Sequence, residues 1–75
     1  MERYKNSGGN SGVIAYEIAD DSIKVKFSDN SVYLFSYRKP GSSHVEKMKI
    51  LATRGQGLNS YIDTNVKFLY ESKLR

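Results

Sequence analysis

Residues 22–28 read SIKVKFS, in which Ile23, Val25 and Phe27 alternate without a break with Lys24 and Lys26. A period of two places the three apolar side chains on one face of a strand and the lysines on the other. Such a strand is not stable alone; its apolar face needs neighbouring strands and a covering layer. The flanking segments supply the neighbours. In VIAYEIA (13–19), Ile14, Tyr16 and Ile18 share one parity. In SVYLFSY (31–37), Tyr33, Phe35 and Tyr37 share one parity while Val32 and Leu34 hold the other. Asp20-Asp21 reads as the first turn, and Asp29-Asn30, both tolerant of positive φ, predicts a two-residue hairpin. The result is a three-stranded antiparallel meander.

Pro40 ends the ladder because it has no N–H to donate. PGSSHVEKMKILATRG (40–55) then carries helix punctuation: Ser43 and Glu46 at capping-box spacing, and Gly55 at the place of a left-handed C-terminal cap. Val45, Met48, Leu51 and Ala52 form its apolar stripe, with Ile50 at the margin. Beyond it, Leu58, Tyr61, Ile62, Val66, Leu69 and Tyr70 recur at helical spacing, but Asp63, Thr64 and Asn65 are poor mid-helix residues. Residues 58–72 are therefore one helix or two short ones. The fold class is α+β: a three-stranded antiparallel β-meander followed by one or two helices packed on one sheet face, β-β-β-α-α.

KNSGGNSG (5–12) has too little apolar area to offset its ordering entropy, and it lacks the spacing and context of a phosphate-binding loop. Residues 1–11 are read as a flexible N-terminal segment and 12–75 as a single domain. Seventy-five residues make one small domain, and with no cysteine there is neither a disulfide nor a thiolate metal site. The apolar runs are too short to span a bilayer, and MERYKNSGG has no apolar signal core. A soluble, cytoplasmic protein of bacterial type, with no membrane partner, is expected.

Catalytic inventory is thin. His44 is the single histidine, and Ser42 and Ser43 beside it are better explained by the helix start. Asp20-Asp21 offers too few converging oxygens for a cation. A non-enzymatic chain with no cofactor and no metal is expected.

Charge is more informative. Residues 1–37 carry four bases and five acids, a balance of −1; residues 38–75 carry eight bases and three acids, a balance of +5. A basic half suits a polyanion such as RNA, although a solvated surface has the same composition. The candidate phosphate contacts are Arg38, Lys39, Lys47, Lys49, Arg54, Lys67 and Lys73, with Tyr37 or Tyr61 stacking on a base. Tyr33, Phe35 and Phe27 are assigned to the core. In TRGQGLNS (53–60), Arg54 beside a glycine pair could hold a phosphate, but Gly55 and Gly57 are better explained as cap and turn. The alternative to RNA is a protein-interaction or homo-oligomerising module that uses an uncovered sheet face or an unpaired edge strand.

From about residue 12 to residue 70 the chain resembles the KTSC domain family, named after the C-terminal extension of some lysyl-tRNA synthetases and also found as a free-standing small bacterial protein. The resemblance rests on Val32-Tyr33-Leu34-Phe35, Pro40, Ala52-Thr53-Arg54-Gly55, Leu58-Asn59-Ser60-Tyr61-Ile62 and Tyr70. In the family's central tyrosine pair this chain has Tyr33 and Phe35, so the second hydroxyl is missing. The resemblance implies a binding module, with RNA suggested by the synthetase context.

Overall fold

The computed structural model describes residues 1–9 and 11–75. In chain order the elements are β1 (Glu2–Arg3), β2 (Val13–Ala19), β3 (Ser22–Phe27), β4 (Val32–Ser36), α1 (Ser42–Arg54), α2 (Leu58–Tyr61), a π-helical turn (Ile62–Val66) and β5 (Ser72–Lys73). The fold is α+β, as read. The sheet, however, has five antiparallel strands in the order β1-β2-β3-β4-β5, which corrects the three-stranded expectation.

The central three strands follow the sequence pattern except at the start of β2, where a register shift between Val13 and Ala15 buries Val13 and leaves Ile14, read as sharing the parity of Tyr16, exposed. Tyr16 lies opposite Val25 and Ile18 opposite Ile23; across the next pair, Ile23 lies opposite Phe35 and Val25 opposite Tyr33. Residues directly opposite one another share a face, so these side chains make one apolar surface. Onto it α1 lays Val45, Met48, Leu51 and Ala52, and Leu58, Ile62 and Val66 complete the core. Lys24, Lys26, Val32 and Leu34 face away from the helices, where Lys24 pairs with Glu17 at 3.6 Å.

Both outer strands were hidden from pattern reading. Glu2 pairs opposite Tyr16 and Arg3 opposite Ala15, and Tyr4 follows with only 4% of its surface exposed. The Tyr4 hydroxyl accepts a hydrogen bond from the Leu58 N–H at 3.2 Å, and Ser7 N–H donates to Gly55 O at 2.7 Å. The expectation that residues 1–11 stand outside the domain is thus corrected over this stretch; Asn10, within that segment, lies outside the described residues. One aromatic ring removes on the order of 150–250 Å² from water, enough to anchor a short polar segment. At the other end, β5 pairs Lys73 with Tyr33 and Ser72 with Leu34.

The helical reading of Leu69 and Tyr70 is corrected too. Thr64 Oγ1 donates to Ser60 O at 2.9 Å and Asn65 Nδ2 to Tyr61 O at 3.1 Å, so polar side chains compete for the carbonyls a helix would use. The helix widens into the π turn and ends. Leu69 N–H closes back on Val66 O at 2.9 Å, and Glu71 N–H donates to Leu34 O at 2.7 Å, which leads the chain onto the sheet.

Three junctions decide local geometry. Asp20-Asp21 is a two-residue turn between Ala19 and Ser22, as read. The second hairpin instead has three loop residues, Ser28, Asp29 and Asn30: Phe27 N–H donates to Ser31 O at 2.9 Å and Asn30 N–H to Phe27 O at 2.8 Å, with Asn30 at φ 71°. Asp29 supports the extra residue, its Oδ1 accepting from Ser31 N–H at 3.0 Å and from Ser31 Oγ at 2.6 Å. In α1 the capping box does not form, because the helix starts at Ser42 and Ser43 falls inside its first turn; Gly41 takes the N-cap without a side-chain bond. Gly55 ends α1 in the left-handed conformation, φ 78°, as expected. A β-carbon there would also lie 2.5 Å from Lys5 Cβ, so glycine is required twice over.

Candidate functional site

Large apolar side chains are rarely left in water without a reason when they gather around a concavity. Phe68 is 76% exposed, the most exposed of the large hydrophobic residues described. It follows the π turn, on the short link that carries the chain back to β5. Beside it lies a cavity of about 390 Å³ lined by Phe27, Tyr33, Phe68 and Tyr70, with Lys67 at its edge. That volume falls in the lower part of the roughly 300–1,000 Å³ range of small-ligand sites.

The sheet positions the rings. Phe27 closes β3 and Tyr33 is the second residue of β4, and their rings meet edge to face at 5.7 Å. Tyr70 also packs against Tyr33, with ring centroids 4.7 Å apart. Lys73, opposite Tyr33 on β5, holds its ammonium 5.7 Å from the Tyr33 ring centre, within cation–π reach. Lys67 Nζ lies 5.6 Å from the Phe68 ring centre. The site is thus a set of partly exposed aromatic faces with two ammonium groups beside them.

Asp29 and Asp63 also line the cavity. The Ser31 hydroxyl, then the Ser31 N–H, hold the Asp29 carboxyl below its ordinary range. It is a fixed acceptor in the lining of the cavity.

Of the residues singled out in the sequence, Lys67 lines this cavity and Lys73 lies next to one of its walls, the Tyr33 ring. The remainder are distributed elsewhere. Tyr37 is exposed, but its hydroxyl donates to Glu46 Oε2 at 2.5 Å. Lys49 Nζ bonds the same Glu46 oxygen at 2.9 Å and Asp20 O at 2.9 Å, and its side chain is only 13% exposed. These two side chains are engaged in tying α1 to the sheet. Tyr61 is half-buried, with its hydroxyl 2.7 Å from His44 Nδ1. Arg38 and Lys39 are exposed in the turn after β4, and Lys47 and Arg54 are exposed on α1. In TRGQGLNS the Leu58 amide is already committed to Tyr4, and Gly57, at φ 88°, makes the turn into α2.

Phe27, Tyr33, Phe68, Tyr70 and Asp29 were not identified as site residues from the sequence. One signal was present for Phe68: it lies off the apolar spacing of residues 58–70 and directly follows a lysine. An aromatic outside the stripe that needs burying is a ring with another use. Tyr33 and Phe27 gave no such signal, since a strand's inward parity predicts burial for both.

Comparison with protein-family models, with curated proteins and with solved structures returned no match to this chain.

Proposed function

We propose that this chain is a small non-enzymatic module that binds single-stranded RNA, with the cleft between Tyr33, Phe68 and Tyr70 receiving a base. The observation that carries the reading is Phe68, exposed at the mouth of an aromatic cleft with Lys67 and Lys73 beside the rings. Unpaired bases stack on aromatic faces, and neighbouring ammonium groups neutralise the phosphates that follow. A formal net charge of +4 favours a negatively charged partner, as a nucleic acid is. Arg38, Lys39, Lys47 and Arg54 are exposed bases away from the cleft and add to the overall positive field. The KTSC-type resemblance is part of the same proposal. It is supported by Gly55 at the left-handed cap and by the contact between Tyr33 and Tyr70, both positions on which the resemblance rests.

Titration of labelled single-stranded RNA at two salt concentrations tests the reading. Binding should weaken steeply with salt, and the combined Lys67→Ala and Lys73→Ala change should lower the slope of log K on log salt by about 1.4, at about 0.7 per phosphate contact on a single strand. Absence of binding at low salt, or binding indifferent to salt, would overturn it.

A second reading, self-association, is favoured by the edge of β2. That strand runs Val13–Ala19, yet β1 pairs only with Ala15 and Tyr16, so beyond Tyr16 its outer edge has no strand partner among the described residues. Ile18 is exposed there. Sedimentation over a concentration range decides this reading; a monomer at the highest concentration rejects it.

A further inference from the structure

The cleft is aromatic and bears positive charge at its margin, but its lining also includes two carboxylates, Asp29 and Asp63. Phosphate would be repelled from such a wall. This orients a bound strand: the heterocycle enters, and the sugar–phosphate chain stays at the rim with Lys67 and Lys73. Asp29 is the better placed reader. Two hydrogen bonds from Ser31 converge on Oδ1, at 3.0 Å and 2.6 Å, which fixes the carboxylate and leaves Oδ2 for a ligand donor. Those same bonds keep it ionised, and an ionised carboxylate only accepts.

The Watson–Crick edges of the four RNA bases meet an acceptor differently. Guanine presents two adjacent donors, N1–H and the exocyclic amine, and both can converge on the two free lone pairs of Oδ2. Adenine and cytosine present one exocyclic amine. Uracil presents a single N3–H between two carbonyl oxygens, which would face a like-signed oxygen. Resting on the RNA-binding reading above, we infer that the cleft selects an unpaired base carrying an exocyclic amine, guanine foremost, through the Asp29 carboxylate, and that it disfavours uracil.

The test uses the full chain and oligouridylate strands of equal length, with or without one central guanine, followed by fluorescence anisotropy at low salt. The guanine-containing strand should bind about tenfold more tightly, the scale of one bidentate base contact. Asp29→Asn should abolish that preference, bringing the two strands to within about twofold of each other in affinity. Equal affinity of the two strands, tighter binding of oligouridylate, or a full guanine preference surviving Asp29→Asn would overturn the inference and leave the RNA-binding reading standing. Failure of both strands to bind would overturn both. The comparison of strands on the unaltered chain does not depend on how well the variant folds.

Discussion

The rings of Tyr33 and Tyr70 meet with centroids 4.7 Å apart and planes inclined at 61°, across the junction between β4 and the segment leading into β5. Tyr70 is the aromatic contact through which the link after the π turn reaches the sheet, and it forms a wall of the cleft. Replacing Tyr70 by Ala should therefore have two effects. Stability should fall by about 1–2 kcal/mol, the scale of a half-buried aromatic pair. On the RNA-binding proposal, affinity for RNA should fall as well, because the link carrying Phe68 and Lys67 loses its anchor. Denaturant unfolding and RNA titration on the same variant measure both, and Tyr70→Phe should preserve both.

Phe68 separates binding from folding. Being largely exposed, it contributes little to the core, so Phe68→Ala should change unfolding free energy by no more than about 0.5 kcal/mol. If a base stacks on it, affinity should drop roughly tenfold, within the 1–3 kcal/mol typical of a base–aromatic contact. An unaltered affinity would remove Phe68 from the interface.

The parts of the fold visible in the sequence are those governed by local periodicity. Ile23, Val25 and Phe27 announce their strand, and Val45, Met48, Leu51 and Ala52 their helix, because each pattern repeats within a few residues. The outer strands had no such signal: Glu2–Arg3 and Ser72–Lys73 are two residues each, shorter than any period that could be read. Their pairing is decided by tertiary anchors, Tyr4 against Leu58 and Tyr70 against Tyr33. The cleft was illegible for a related reason. Parity assigns Tyr33 and Phe27 to the inward face, and it does not register that α1 and the π turn leave the end of that face partly open. The basic C-terminal half singled out Lys67 and Lys73, whose ammonium groups lie beside the Phe68 and Tyr33 rings. It could not separate them from Lys49, which has the same charge and is held by Glu46 and Asp20.

Glu46 gives the fold an acid-sensitive link. The Tyr37 hydroxyl, and after it the Lys49 ammonium, hold the Glu46 carboxyl below its ordinary value of 4.5. A carboxyl whose pKa is lowered on folding contributes fully above that ordinary value, and the contribution disappears as pH falls through the lowered native value. The partner shift has the opposite sense: Glu46 raises the Tyr37 hydroxyl above 10.0, so its share is present below that pH and is lost as pH rises through the raised value. Both groups are exposed, so the effect is modest. Glu46→Gln should flatten the acid arm of a melting-temperature profile below pH 4.5 and reduce the alkaline arm above pH 10.0. Unchanged slopes in Glu46→Gln would show that the link carries no stability.

Tyr4 carries the last prediction, because it joins a segment with almost no apolar content to the centre of the core. Its ring is buried among core side chains, and its hydroxyl is the acceptor for the Leu58 N–H, which Gly57 presents as the chain enters α2. Tyr4→Ala removes ring and acceptor together and should cost about 3–5 kcal/mol, the range for a buried aromatic. Tyr4→Phe keeps the ring but strands a buried N–H, at about 1–3 kcal/mol. The difference between the variants isolates the packing of the ring from the hydrogen bond. If Tyr4→Ala unfolds at the same denaturant concentration as the unaltered chain, β1 and Tyr4 do not belong to the cooperative fold. If the predicted order holds, amide exchange at Leu58 should accelerate in Tyr4→Phe while the strand amides of β3 stay protected, since only the α2 junction has lost a partner.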